Sequence, residues 1–281
     1  MPHATSGGGV RVHYEVHPSR VAPGPALPPV VLVQGLGLSS RFWFDQPRFI
    51  SQHDQGPHQV VVVDNRGTGL SDRPPGPYKM AQMADDVAAV IDAAGLESAI
   101  VVGISMGGMI AQHVAMRHPS KVRGLVLLAT TPGLPWATPP GPQALATLLS
   151  LPLRSGASRA RALRLQRLLL PESELHRGDE HLADWPRALA ADPITTAVFL
   201  SQFYAAVTHW TGRGLRKIAC PAVVVTGAED ILIPPRNSRQ LARRIPKSHL
   251  EILPDVAHAV PLLRPEIVWR SLRKLEEMGV R

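Results

Sequence analysis

Apolar positions follow two rhythms along this chain. Short, mostly apolar runs stand at Val30–Val33, Val60–Val63, Ile100–Val102, Leu125–Leu128, Ala222–Val225 and Leu250–Leu253. Runs of this length, rich in β-branched residues, predict strands, and strands buried on both faces show no alternation. Between them, apolar residues recur at helical spacing over Met80–Ala94, Met109–Arg117, Arg239–Arg244 and Pro265–Met278. Parallel strands need crossovers, and these helices supply them. The pattern predicts an α/β fold on a mostly parallel, doubly wound sheet.

The rhythm breaks between about Gly133 and Gly214. Pro132, Pro135, Pro139, Pro140 and Pro142 mark the entry, and Gly212 and Gly214 the exit. The stretch between them is helical in pattern, rich in Leu, Ala and Arg, and has no β-branched run. It predicts a helical insertion, residues 134–213, on a core made of 1–133 and 214–281. A chain of 281 residues is long enough for one large domain that carries such an insertion. Ser6–Gly9 reads as a flexible start, and no internal repeat appears.

The chemistry begins at Gly103-Ile104-Ser105-Met106-Gly107, a G-x-S-x-G with a strand before it and a helix after it. A nucleophile on a sharp strand-to-helix turn needs small neighbours, and glycines at 103 and 107 supply the room. Such a turn lifts a hydroxyl above the carboxyl ends of the strands, where open α/β sheets bind ligands. Serine is a weak nucleophile unless a base and an orienting acid assist it. His258 follows the last predicted strand and so belongs at the same sheet edge. Asp230 follows the strand Ala222–Val225 and lies between Ser and His in chain order. Glu229 and Asp255 are its rivals.

Five segments together carry a family resemblance. They are Gln34-Gly35-Leu36-Gly37, Asp64 to Ser71, Gly103 to Gly108, Gly227-Ala228-Glu229-Asp230 and Ala257-His258. In this order they resemble the α/β-hydrolase superfamily, in particular its branch of esterases, haloperoxidases and epoxide hydrolases with a helical cap. The resemblance matches Ser105, Asp230 and His258 to the catalytic triad. An oxyanion hole should use the backbone N–H of Met106 and a second N–H from the loop after Val30–Val33. By resemblance, that second donor is Leu36. Many relatives carry His-Gly where this chain has Gln34-Gly35, so Gln34 is a candidate substrate contact. Relatives with Asp at the elbow open epoxides or displace halide; Ser105 favours acyl transfer.

The leading expectation is a hydrolase that cleaves a carboxylic ester of a small or medium, partly apolar substrate through an acyl-enzyme. The same triad serves carbon–carbon bond hydrolysis, enol-lactone opening, removal of an N-terminal proline and perhydrolysis. A non-hydrolytic cyclase or binding protein is the third class. Trp136, Trp185, Phe199, Phe203, Tyr204 and Trp210 lie in or beside the insertion. Trp136 and Phe203 are candidates for the substrate pocket, and the others read as packing. Asp64 to Ser71 reads as scaffold, with Arg66 and Asp72 pinning the loop.

Composition narrows the picture further. The net charge is +8, but no dense basic tract with interleaved aromatics suggests nucleic acid. Arg154, Arg159, Arg161, Arg164 and Arg167 read as a solvated face of the insertion. The single cysteine, Cys220, permits no intrachain disulfide and reads as packing. No leader pattern and no apolar run of membrane-spanning length appears, so a cytoplasmic location is expected. No His/Asp/Glu cluster has metal-ligand spacing, and Gly7-Gly8-Gly9 lacks the context of a phosphate loop. No cofactor and no metal are expected. The expected partner is a small-molecule substrate.

Overall fold

Val30–Val33 and Val60–Val63 lie side by side in parallel register, with every residue buried. Helices cover both faces of this sheet, so neither face tolerates polar side chains there. The computed structural model describes residues 1–20, 26–151, 158–175 and 185–281. Arg154, and the side chains of Arg159 and Arg161, lie outside the described residues.

Among the described residues, eight strands form one sheet. They are β1 (His3–Thr5), β2 (Arg11–His17), β3 (Val30–Val33), β4 (Val60–Val63), β5 (Ala99–Ile104), β6 (Val122–Leu128), β7 (Ala222–Gly227) and β8 (Ser248–Leu253). Their order is β1-β2-β4-β3-β5-β6-β7-β8. The pairings β1–β2 and β2–β4 are antiparallel and all others are parallel. The described helices are α1 (Gln46–Ser51), α2 (Met80–Ala93), α3 (Met106–Arg117), α4 (Pro142–Ser150), α5 (Ser158–Leu169), α6 (Glu172–Leu175), α7 (Trp185–Ala191), α8 (Thr196–Val207), α9 (Arg236–Ala242), α10 (Val260–Leu263) and α11 (Glu266–Glu277).

Strand side chains alternate between two cores, as the pleat requires. Val31, Val33, Val61, Val63 and Val101 join Val87, Ile91, Ile110 and Val114 of α2 and α3. Val30, Leu32, Val60, Val62, Ile100 and Val102 join Ile50 of α1 and Ile267, Val268 and Leu272 of α11. Helices α4 to α8 lie between β6 and β7, where the described residues add no strand. The ends of this stretch are tied together. Gly133 and Leu134 bridge to Trp210, and Thr211 Oγ1 donates to Pro132 O at 2.6 Å.

Two expectations are corrected. Ser6–Gly9 is the turn of a hairpin, closed by Ser6 N–H donating to Val10 O at 2.8 Å. The hairpin escapes the hydrophobic pattern because β2 buries His13 beside Val12 and Tyr14. Arg66 does not pair with Asp72. Its guanidinium grips Asp86 of α2 through Nε–Oδ2 at 2.6 Å and Nη2–Oδ1 at 2.7 Å, with both residues buried. Asp72 pairs instead with Arg11, Nη2 to Oδ1 at 3.1 Å, near the surface. Asp86 is the better partner because α2 carries it to the inner side of the Asn65–Gly69 loop. Cys220 is partly buried, and burial pushes its thiol up to about 11, consistent with packing.

The two ion pairs should separate in a stability measurement. Asp86→Asn leaves a buried guanidinium without its counter-charge and is expected to cost about 3–5 kcal/mol. Asp72→Asn acts on a solvent-screened pair and is expected to cost under about 1 kcal/mol. Urea unfolding of both variants checks the difference; equal losses would contradict the burial argument.

Candidate active site

Ser105 sits between the end of β5 and the start of α3, with φ 56° and ψ −121°. A non-glycine residue in this region is strained and persists only where its surroundings fix it. A Cβ on Gly103 would come within 2.2 Å of Gly107 O, and one on Gly107 within 2.1 Å of Val33 O. The two glycines therefore let the turn close against β3. Ser105 N–H donates to Leu128 O at 2.9 Å, and Thr130 Oγ1 donates to Ser105 O at 2.7 Å.

Asp230 and His258 come from the loops after β7 and β8. Asp230 Oδ1 accepts the N–H groups of Leu232 at 2.9 Å and Ile233 at 2.8 Å. Its Oδ2 lies 2.8 Å from His258 Nδ1. With Oδ1 taken by two backbone donors and Oδ2 facing the ring, the arrangement suits the tautomer that carries its hydrogen on Nδ1 and presents Nε2 as the basic nitrogen. Glu229 and Asp255 are exposed and make no such contact. Ser105 and His258 share the wall of one cavity. Among the described residues no hydrogen bond joins them. In unliganded sites such bonds are often long and tighten when substrate arrives.

Two cavities meet at Ser105. The larger encloses about 280 Å³ and is lined by Leu36, Met106, Met109, Leu134, Phe203 and Val207, among others. The smaller, about 80 Å³, reaches Gln34, Phe44, Leu165, Trp185 and His258. The backbone N–H groups of Leu36 and Met106 have no hydrogen-bond acceptor among the described residues. Gly35 runs beside the serine, and a Cβ there would lie 3.3 Å from Ser105 Cβ. Gln34 is buried, its Oε1 accepts Gly35 N–H at 2.8 Å, and Asn65 Nδ2 donates to its carbonyl at 2.8 Å.

The family model for the alpha/beta hydrolase fold matches residues 28–265. The chain belongs to the α/β-hydrolase family. A protein named carbamate hydrolase RutD, from Caulobacter sp. (strain K31), is 30% identical over 267 residues, covering 91% of each chain. A thermophilic esterase from Thermogutta terrifontis is 25% identical with a TM-score of 0.77, over 100% of this chain and 99% of that one. An N-acyl homoserine lactone degrading enzyme, Est816, is 28% identical with a TM-score of 0.75, over 97% and 99%.

The hydrolase thus brings Ser105, Asp230, His258, Leu36, Met106, Gln34 and Phe203 to one place. Trp136 stands apart from both cavities. It is half-exposed, with the Arg244 guanidinium 4.0 Å over its ring. Arg167 lies at the surface end of α5, and Arg164 Nε is buried without a partner, so the predicted arginine face is not uniformly solvated.

Sequence reasoning missed two residues. Gln202 of α8 is fully buried; its Oε1 accepts Gly37 N–H at 2.8 Å and its Nε2 donates to Arg66 O at 2.9 Å. A lone amide between Phe199 and Phe203 was the available signal. His209 lines the larger cavity, with Nδ1 3.2 Å from His113 Nε2 of α3. No local pattern marks that pair.

The two imidazoles are held neutral. Burial, then the charge of Arg117, lowers His113 to about 4. Burial, then His113 itself, lowers His209 to about 3. The unfolded chain takes up these protons near pH 6.5. Between about pH 6.5 and 4 it therefore binds protons that the fold refuses. Stability is full above that window and falls within it, by about 1.4 kcal/mol per pH unit for each such proton. Urea unfolding at pH 8 and pH 5 is expected to show this loss, and His113→Gln is expected to reduce it. An unchanged pH dependence in the variant would assign the loss elsewhere.

Proposed function

We propose that this hydrolase cleaves carboxylic esters through an acyl-enzyme on Ser105, with His258 as base and Asp230 as the acid that orients it. The observation that carries the reading is a strained serine on the wall of two adjoining cavities, one lined also by His258, whose Nδ1 faces Asp230, and the other by Met106, with the N–H groups of Leu36 and Met106 without acceptors among the described residues. Ser105 Oγ attacks the carbonyl carbon and its proton passes to His258 Nε2. The oxyanion that forms is held by the N–H groups of Leu36 and Met106. Collapse expels the alkoxide, which takes the proton from His258 and leaves as the alcohol. Water, deprotonated by the same imidazole, then attacks the acyl-enzyme and releases the acid.

The two cavities divide the substrate. His258 must reach the leaving oxygen, and it lines only the smaller cavity. The larger one holds Met106 with the serine and lacks His258, so it takes the acyl group. Its walls are mainly aliphatic, which favours an alkyl or aryl acyl chain over the small polar carbonyl unit named for the Caulobacter relative. The stretch between β6 and β7, its loops at Leu134 and Pro139 together with Leu145, Leu148, Phe203 and Val207 of its helices, supplies most of those walls and acts as a lid that excludes water from the oxyanion.

Three measurements test the reading. A fluorophosphonate probe is expected to label the wild type and not Ser105→Ala; failure to label the wild type would end the acyl-enzyme proposal. His258→Ala is expected to lower kcat by about 10⁴–10⁶, and a loss below tenfold would mean another base. Across p-nitrophenyl esters, kcat/KM is expected to peak at acyl chains of about four to eight carbons, which suits a cavity at the small end of ligand-sized pockets. A peak at carbamates would transfer the Caulobacter relative's named activity to this chain.

A further inference from the structure

The positive charge of this chain is unevenly placed. Residues 193–228 and 231–250 contain no Asp or Glu, yet hold Arg213, Arg216, Lys217, Arg236, Arg239, Arg243, Arg244 and Lys247. Residues 132–150 contain no acid either. The fold brings these segments to one side. Trp136 Nε1 donates to Gly212 O, Leu134 bridges to Trp210, and Arg244 stacks on Trp136. Thr138 N–H donates to Asn237 Oδ1 of α9 at 2.8 Å, which holds that helix against the same stretch. Burial, then the fields of Arg216 and Arg243, lowers the pKa of Arg244. None of the eight cations makes a salt bridge with a described residue.

Large apolar side chains stand exposed on this same side. Trp210 is 62% exposed, Leu134 53%, Leu200 52% and Val207 50%. Leu200, Tyr204 and Val207 follow one another at i, i+4 and i+7 on α8, so they form one outward stripe. The stripe ends at the larger cavity, because Leu134 and Val207 also line it. Exposed apolar surface of this extent normally has a partner.

We propose that this face docks the enzyme on anionic phospholipid bilayers, with Leu200, Val207 and Trp210 entering the interface and the surrounding arginines meeting headgroup phosphates. Combined apolar burial and cationic attraction is the physics of peripheral membrane binding. A second copy of the chain is the poorer occupant. A two-fold interface would set this patch against itself, and the patch has cations without acids. Nucleic acid would meet the arginines but leave the aliphatic stripe without a partner. Docked this way, the mouth of the larger cavity faces the interface, where apolar esters concentrate.

Binding is read by co-sedimentation of the Ser105→Ala protein with vesicles, so that turnover plays no part. Vesicles of phosphatidylcholine with phosphatidylglycerol are expected to bind at least tenfold tighter than phosphatidylcholine alone. The difference is expected to shrink in about 0.5 M NaCl, where the screening length falls to about 4 Å. The pair Arg216→Glu with Arg243→Glu, and separately Leu200→Ser with Trp210→Ser, are each expected to weaken binding at least tenfold without moving Tm. The proposal is overturned by vesicle binding indifferent to both pairs. It is equally overturned by a dimer that Leu200→Ser with Trp210→Ser dissolves, or by tighter binding to a DNA duplex than to the anionic vesicles.

Discussion

The backbone of Ser105, held at φ 56°, is the constraint on which the rest of the site depends. An L-residue in that conformation costs about 1–3 kcal/mol and relaxes unless its neighbours forbid it. Here they do. Its N–H is spent on Leu128 O of β6 and its carbonyl takes the Thr130 hydroxyl. Gly107 presses so close to Val33 O that a single methyl would not fit. The strain is thus stored against β3, β5 and β6, which lie together at the buried centre of the sheet. The purpose of a fully apolar sheet centre is visible in this: a rigid floor for one distorted residue.

Everything that would act on that residue arrives from elsewhere, and the same stretch of chain anchors it. Gln202 of α8 accepts from Gly37 beside Leu36 and donates to Arg66, whose guanidinium is locked on Asp86. At the other end, Ala259 N–H, next to His258, donates to Leu169 O of α5 at 2.9 Å. Asp192 takes Ser39 Oγ at 2.6 Å and Arg41 Nε at 2.9 Å. The helices between β6 and β7 therefore do more than roof the cavities. They hydrogen-bond to the loop that carries Leu36 and to the loop that carries His258, so a shift in those helices would be felt at both.

Residues that act through the backbone period or through chain order were legible in the sequence. The valine runs announced β3 and β4, and the punctuated G-x-S-x-G announced the elbow. The order Ser, Asp, His placed Asp230 and His258 at the same edge, and they meet at 2.8 Å. What the sequence hid were pairings between distant polar groups. Asp72, the acid near Arg66 in sequence, is not its partner, because a helix, not sequence distance, brings Asp86 inward. Gln202 and His209 sit where one buried polar atom meets another from far along the chain, and no periodicity encodes that. The β1–β2 hairpin was hidden because β2 buries His13 between Val12 and Tyr14, which breaks the alternation. Trp136 drew notice as a large aromatic in the insertion, but its indole is stacked under Arg244 at the surface rather than at the cavity.

Helix α8 shows why the insertion was the least readable part. Val198, Phe199, Gln202 and Ala205 are buried, while Leu200, Tyr204 and Val207 point outward. A surface helix in a soluble domain normally keeps one apolar stripe and one polar face. This one is apolar on both, so its pattern cannot say which side is the core. The inner stripe is fixed by Phe199 stacked on Phe203, with ring centres 6.2 Å apart, and by the Gln202 hydrogen bonds. Once that side is assigned, the outer stripe is left as a cost that burial within the chain does not offset. Selection for folding alone gives no reason to keep a leucine at position 200, which lines neither cavity and is 52% exposed. Leu200 and Val207 both stand on the side that carries the cations, which make no salt bridge with a described residue, and Val207 also lines the cavity beneath, so the outer stripe is the ground for proposing what the helix meets.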